Sequence, residues 1–184
     1  MKKLVLTASL LAVCIPGVFA QKYMTRTGKV IFDATTKKSP EKIDGKNNEV
    51  ASMLNAETGE LVFQVLVKSF KFEKQLMEEH FNENYMESDK FPKSDFKGKI
   101  ANSKDVNFSK DGIYNTTVAG KLTIHGATND VSVPGTITVS GNKIKLAAKF
   151  AVKLADYKIT VPSLVEDKVA KEASIILDAE LTQK

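Results

Sequence analysis

Cysteine is all but missing from this sequence. The single thiol, Cys14, lies inside an amino-terminal apolar run, so once that run is removed neither a disulfide framework nor thiol chemistry remains. Tryptophan is absent, and no indole is available as a stacking platform for bases. Only two histidines occur, His80 and His125, whereas a catalytic metal site normally takes three protein ligands. A carboxylate such as Glu79 or Glu83 would have to complete a set, and no His-Glu-x-x-His spacing exists. No Gly-x-Ser-x-Gly elbow is present either, and neither histidine has a recognisable serine and acid beside it. These gaps argue against an enzyme, and no motif asks for a cofactor or a metal. Long apolar runs are lacking as well. The one at Leu4 to Val13 is about half of the roughly 20 residues a membrane-spanning helix needs.

That short run has the makings of an export signal. Lys2 and Lys3 give the charged start, and Val18-Phe19-Ala20 gives the small-residue cleavage pattern. Residues 1–20 are therefore expected to be a cleaved signal peptide, residues 21–184 one domain, and the location the periplasm. A rival reading, acylation at Cys14, meets Val13 where a small residue is preferred. Loss of Lys2 and Lys3 leaves 25 basic against 22 acidic residues, a net charge of +3. The lysines are scattered rather than clustered, which suits a solvated surface and not a nucleic-acid footprint.

What the chain does have is alternation. Val30, Phe32 and Ala34 share one strand face, and a polar loop runs from Thr35 to Lys42. Ile43 to Leu54 reads as an irregular or edge strand, interrupted by Gly45, Asn47 and Asn48. Leu61, Phe63, Val65 and Val67 alternate, then parity shifts to Phe70 and Phe72 across a bulge or bend near Ser69. Phe96, Gly98 and Ile100 resume the period, and Asp111-Gly112 marks a turn into the strand from Tyr114 to Ile124, which includes Leu122. Val131-Val133 and Ile137-Val139 read as two short runs broken at Pro134-Gly135. Lys143 to Leu154 is the clearest strand, with Ile144, Leu146, Ala148, Phe150 and Val152 inward and Lys143, Lys145, Lys149 and Lys153 outward; parity puts Ala147 outside. Tyr157 to Val161 suggests a short strand, Ser163-x-x-Glu166 a capped turn, and Ile175 to Leu181 a last strand. About eight one-sided strands with few helices between them predict an all-β antiparallel sheet closed on itself.

One stretch breaks the period. Leu76, Met77, His80, Phe81, Asn84 and Tyr85 recur at helical spacing, with Asp89, Lys90 and Pro92 ending the helix and Phe91 and Phe96 flanking the break. Such a helix is either a plug at one end of the β-structure or the lid of a cavity. Glu78, Glu79, Glu83 and Glu87 are then its wet side.

Three segments together resemble the YceI-like family of bacterial periplasmic proteins: Met77-Glu78-Glu79-His80-Phe81 with Tyr85-Met86-Glu87-Ser88 and Phe91-Pro92-x-x-x-Phe96; Gly120 to Gly126 with Thr128; and the closing alternating strands. The resemblance implies a lipocalin-like barrel holding a polyisoprenoid or similar long apolar chain. It departs from the family in having no histidine before His80 and no arginine in Leu154-Ala155-Asp156-Tyr157-Lys158. On this reading Phe32, Phe63, Val65, Val67, Phe70, Phe72, Leu76, Phe81, Phe91, Phe96, Leu122, Ile124, Leu146, Ala148 and Phe150 wall the ligand. His80, Tyr85, His125, Asp156 and Tyr157 are the polar candidates near the open end. The partner is then a long-chain isoprenoid or fatty ligand, with peripheral contact to a membrane surface. The same inward phenylalanines serve equally as a filled core, and an interaction module working through the lysine-rich face of Lys143 to Lys153 is the alternative. Small inward residues at Thr116, Gly98, Gly120 and Ala148 favour the hollow version. Nothing in the sequence sets the oligomeric state.

Overall fold

The computed structural model describes residues 21–184, so the expected leader, its cleavage after Ala20 and Cys14 lie outside the described residues. Eight antiparallel strands close into a barrel in sequence order, β1 (Lys22–Thr35), β2 (Asp44–Asn55), β3 (Glu60–Leu66), β4 (Lys93–Ile100), β5 (Gly112–Ile124), β6 (Ala127–Ser140), β7 (Lys143–Lys153) and β8 (Val169–Gln183). Closure follows from one-sided strands, because bending the sheet until β8 meets β1 buries the apolar face and gives every strand a partner on both sides over at least part of its length. β2 is therefore no edge strand: it pairs with β1 along its length and with β3 at one end. Pro134 does not break β6, which runs as a single strand paired to β5 from Ala127 to Gly112's partner Val139. Proline is tolerated there because β6 bonds β7 only from Gly135 onward, so the missing N–H is not needed on that side.

The two ends of the barrel differ. At the end formed by Leu54, Leu61, Ile100, Ile137, Ile144 and Leu181, side chains are almost wholly buried and fill the interior. Toward the other end two ladders stop short. β2 and β3 pair only over Ala51–Leu54 and Leu61–Gln64, and β6 and β7 only over Gly135–Ser140 and Lys143–Ala148. Beyond these points the barrel consists of two four-stranded sheets, β3 to β6 and β7 through β1 to β2, each still fully laddered. Side chains and turns bridge the seams. At the first, the buried Asn47 donates from Nδ2 to the Leu66 carbonyl at 2.9 Å, and Lys46 pairs with Lys71. At the second, Asn129 donates from Nδ2 to the Asp156 carbonyl at 2.8 Å.

The parity shift after Val65 arises from a 3₁₀ turn over Val67–Ser69 rather than a bulge. Helix α1 (Gln75–His80) follows and continues as a π turn over Phe81–Tyr85. It ends at Tyr85, earlier than Pro92 suggests, because Glu87 takes a left-handed conformation with φ 42° and the Ser88 N–H turns back to the Asn82 carbonyl. After β7 the chain makes a 3₁₀ turn over Leu154–Tyr157 and a second over Ser163–Val165; no strand forms at Tyr157 to Val161, and Ser163 supplies no side-chain cap. Between β4 and β5 a loop with a 3₁₀ turn at Ser103–Asp105 replaces a tight hairpin at Asp111-Gly112. Gly98 and Gly120 do not leave room in the barrel. They face each other across β4 and β5 so closely that a Cβ on Gly120 would lie 2.4 Å from the Gly98 Cα, and the Phe96 ring covers Gly98.

Candidate functional site

Where the ladders stop, the interior is hollow. A cavity of about 480 Å³ occupies the wide half of the barrel, within the range of ligand sites generally. Its walls are strand residues of inward parity: Val30, Phe32, Phe63, Val65, Phe96, Val118, Leu122, Ile124, Val131, Val133, Leu146, Ala148, Phe150, Val152, Ile175 and Leu177. The packed end forms its floor through Leu61 and Ile137. Its mouth is edged by Ser39, Pro40 and Glu41 of the β1–β2 loop, Met77, His80, Phe81, Tyr85 and Met86 of the helical segment, and Ile159, Val165 and Lys168 of the β7–β8 loop.

The helical segment is fastened over this opening from both sides. Phe81 stacks on Phe32 with ring centroids 5.1 Å apart and meets Phe70 and Phe72 at 5.4 and 5.0 Å, so four aromatic rings from three elements lock together beneath the lid. Pairs of this kind are worth about 0.5–1.5 kcal/mol each beyond area burial. At its start Lys74 pairs with Glu41 of the neighbouring loop. At its far side Glu87 reaches the β5–β6 turn, where its Oε1 lies 3.0 Å from His125 Nε2. The other ring nitrogen, Nδ1, donates to the Tyr157 carbonyl at 3.2 Å. The bond from His125 is the main reason the Glu87 carboxyl titrates below its ordinary range. His125 sits at φ 49° and Gly126 at φ 72°, the pair of left-handed residues that a two-residue type I′ hairpin requires. The Phe91 ring packs on both, with its centroid 4.6 Å from that of the imidazole.

The structure thus divides the expected ligand-wall residues. Phe32, Phe63, Val65, Phe70, Phe72, His80, Phe81, Tyr85, Phe96, Leu122, Ile124, Leu146, Ala148 and Phe150 line the cavity. Six do not. Val67 is buried in the 3₁₀ turn behind the wall, and Leu76 is exposed on the outer side of α1. Phe91, His125 and Tyr157 form the strut just described, and Asp156 is an exposed turn residue that gives only its carbonyl, to Asn129. Of the five polar candidates for the open end, only His80 and Tyr85 remain at the mouth. Partial burial raises the Tyr85 phenol above its usual range, which keeps it neutral and able to donate a hydrogen bond. Ala147 touches the cavity wall next to Ala148 but keeps the outward parity expected, opposite Asp178, which pairs with Lys145 on the outer face. Sequence reasoning passed over Pro40, Ile159, Val165 and Lys168, which sit in loops where no period marks an inward position.

Outside the barrel, the lysine stripe of β7 is not a free cationic face. Lys143 bonds Glu180, Lys145 bonds Asp178 at 2.8 Å and Lys153 lies 3.9 Å from Glu172, all acids of β8, which leaves Lys149 alone. No group of three His, Cys, Asp or Glu among the described residues is placed to hold a metal ion.

A sequence profile of the YceI-like domain matches residues 23–181. Among solved structures, a polyisoprenoid binding domain from Saccharophagus degradans implicated in plant cell wall breakdown superposes with a TM-score of 0.76 at 10% identity, covering 89% of this chain and 98% of that one. BcnA of Burkholderia cenocepacia gives 0.67 at 17% identity over 83% and 95% of the two chains. The YceI protein of Campylobacter jejuni gives 0.63 at 15% identity over 81% and 90%. No curated protein sequence matches the chain. Likeness at such low identity establishes a shared barrel and leaves the interior to be read from this chain's own residues.

Proposed function

The chain belongs to the YceI-like family, and from that premise we propose that it is a non-enzymatic periplasmic lipid-binding protein enclosing one polyisoprenoid or similar long apolar chain in the wide half of its barrel. The observation that carries the reading is the cavity of about 480 Å³, walled by aliphatic and phenyl side chains, open at one end and floored by a packed core. Burial of a ligand methylene there is worth about 0.8 kcal/mol, so a long chain is held by summed apolar contact and not by a few polar bonds. Selectivity along the chain is then weak. His80 and Tyr85 at the mouth are the groups that meet whatever polar end the ligand has. The polyisoprenoid binding domain among the structural relatives supports a ligand of that class.

Organic extraction of the purified protein followed by mass spectrometry tests the proposal. A stoichiometric long-chain apolar molecule is expected, and its absence from protein purified without detergent would sink it. Metal analysis of the same preparation tests the non-enzymatic part, since a stoichiometric transition metal would point instead to assisted hydrolysis.

A further inference from the structure

The β7–β8 loop faces two ways. Its Val165 and Lys168 edge the cavity mouth, while Leu164 between Ser163 and Val165 is 88% exposed. The turn that carries this leucine is tied down by hydrogen bonds. Val165 N–H bonds the Pro162 carbonyl, Lys168 N–H bonds the Val165 carbonyl, and Thr36 of the β1–β2 loop donates from Oγ1 to the Asp167 carbonyl at 2.6 Å and from its N–H to the Lys168 carbonyl. The two loops therefore form one platform beside the mouth.

Its charge is one-sided. Lys37, Lys38, Lys42, Lys158 and Lys168 are exposed on these loops, and none has an acid partner within 4.0 Å among the described residues. Three unpaired carboxylates, Asp156, Glu166 and Asp167, oppose those five lysines. Across the mouth the sign reverses, with Glu73, Glu79 and Glu83 unpaired along the helical segment while Lys71 and Lys74 are engaged.

We propose that this platform docks on an anionic bilayer surface, Leu164 entering the headgroup–acyl boundary while the lysines meet anionic headgroups. The acidic helical side is held off the surface, which tilts the mouth toward the membrane and leaves the lid free. Continuity between the exposed leucine and the mouth residues Ile159 and Val165 gives an apolar chain a path between bilayer and cavity that need not cross open water. Docking stands apart from the carrier reading, because it is measured on vesicles with no cavity ligand.

Co-sedimentation of the purified protein with vesicles of phosphatidylcholine alone and of phosphatidylcholine with one-third phosphatidylglycerol tests it. Binding to the anionic vesicles only is expected, weakening as salt is raised. Replacing Lys37 or Lys38 by Gln should weaken binding about five-fold each at low salt. Leu164→Asp should weaken it roughly ten-fold or more at an unchanged melting temperature. Ile113→Asp, also largely exposed but at the packed end, should change nothing. Failure to bind anionic vesicles, or undiminished binding by Leu164→Asp, would overturn the proposal. So would a dimer dissolved by Leu164→Asp without vesicle binding, in favour of self-association. Lipid extracted from a protein that ignores vesicles would sink docking and spare the carrier reading; vesicle binding by a protein that yields no lipid would do the reverse.

Discussion

Ala148 faces the cavity, with Gly135 and Leu177 beside it on the adjoining strands. A ring introduced there enters empty space, so Ala148→Phe should fold with a stability change within about 1 kcal/mol, against the 1–3 kcal/mol typical of overpacking a filled core. It should also displace bound lipid. Ala151→Phe, exposed three residues on, should do neither, and the two are separated by thermal melting plus lipid extraction. Ser52 presents the opposite case: its hydroxyl is buried with no hydrogen-bond partner. Ser52→Ala should cost nothing and raise stability by up to about 1 kcal/mol, read by denaturant titration. Glu87 sets a pH dependence. Its folded-state pKa is depressed by the bond from His125, so its contribution is fully present above the unfolded carboxyl value and is lost as pH falls through the lowered one. Acid unfolding of Glu87→Gln should accordingly show a shallower fall in stability below about pH 4.5 than the parent does; an identical profile would remove the strut from the account.

At the scale of elements, the helical segment is too short to hold itself, since isolated helices below roughly 12–15 residues are marginal in water. Its position comes from Phe81. Truncating that side chain to Ala removes three ring contacts, and the expected result is faster ligand release with a stability loss of about 1.5–4.5 kcal/mol. Unchanged release with a larger loss would make the segment a plug instead. The strands were legible from sequence because the period of two is local, and even the shift between Val65 and Phe70 left its trace in parity. The apolar stripe from Leu76 to Tyr85 also marked where the helix ends, but not why it ends there, because Glu87 adopts its left-handed turn to reach His125, a residue 38 positions away. The same distance hid the strut: Phe91 read as ligand wall and His125 and Tyr157 as a polar end for a ligand, but the backbone folds them onto one another outside the cavity. Gly98 and Gly120 misled for a related reason, since small size in a strand signals close approach as readily as space.

For the molecule as a whole, the decisive feature is where pairing ends. Whether two neighbouring strands stay laddered depends on residues far apart in the chain, so neither seam could be read from composition or period. Amides of β6 upstream of Gly135 and of β2 upstream of Ala51 should exchange with solvent faster than others in their strands, and a bound lipid should slow them; uniform exchange around the barrel would contradict the two-sheet description. The seams also set what girth the protein tolerates. A barrel laddered all round can widen only by breaking backbone bonds, whereas here the sheets can part at the mouth as the arms of tweezers do, pivoting on the packed end. A methyl-branched chain then fits at little more cost than a straight one, and what the protein measures is a ligand's reach to the floor rather than its thickness.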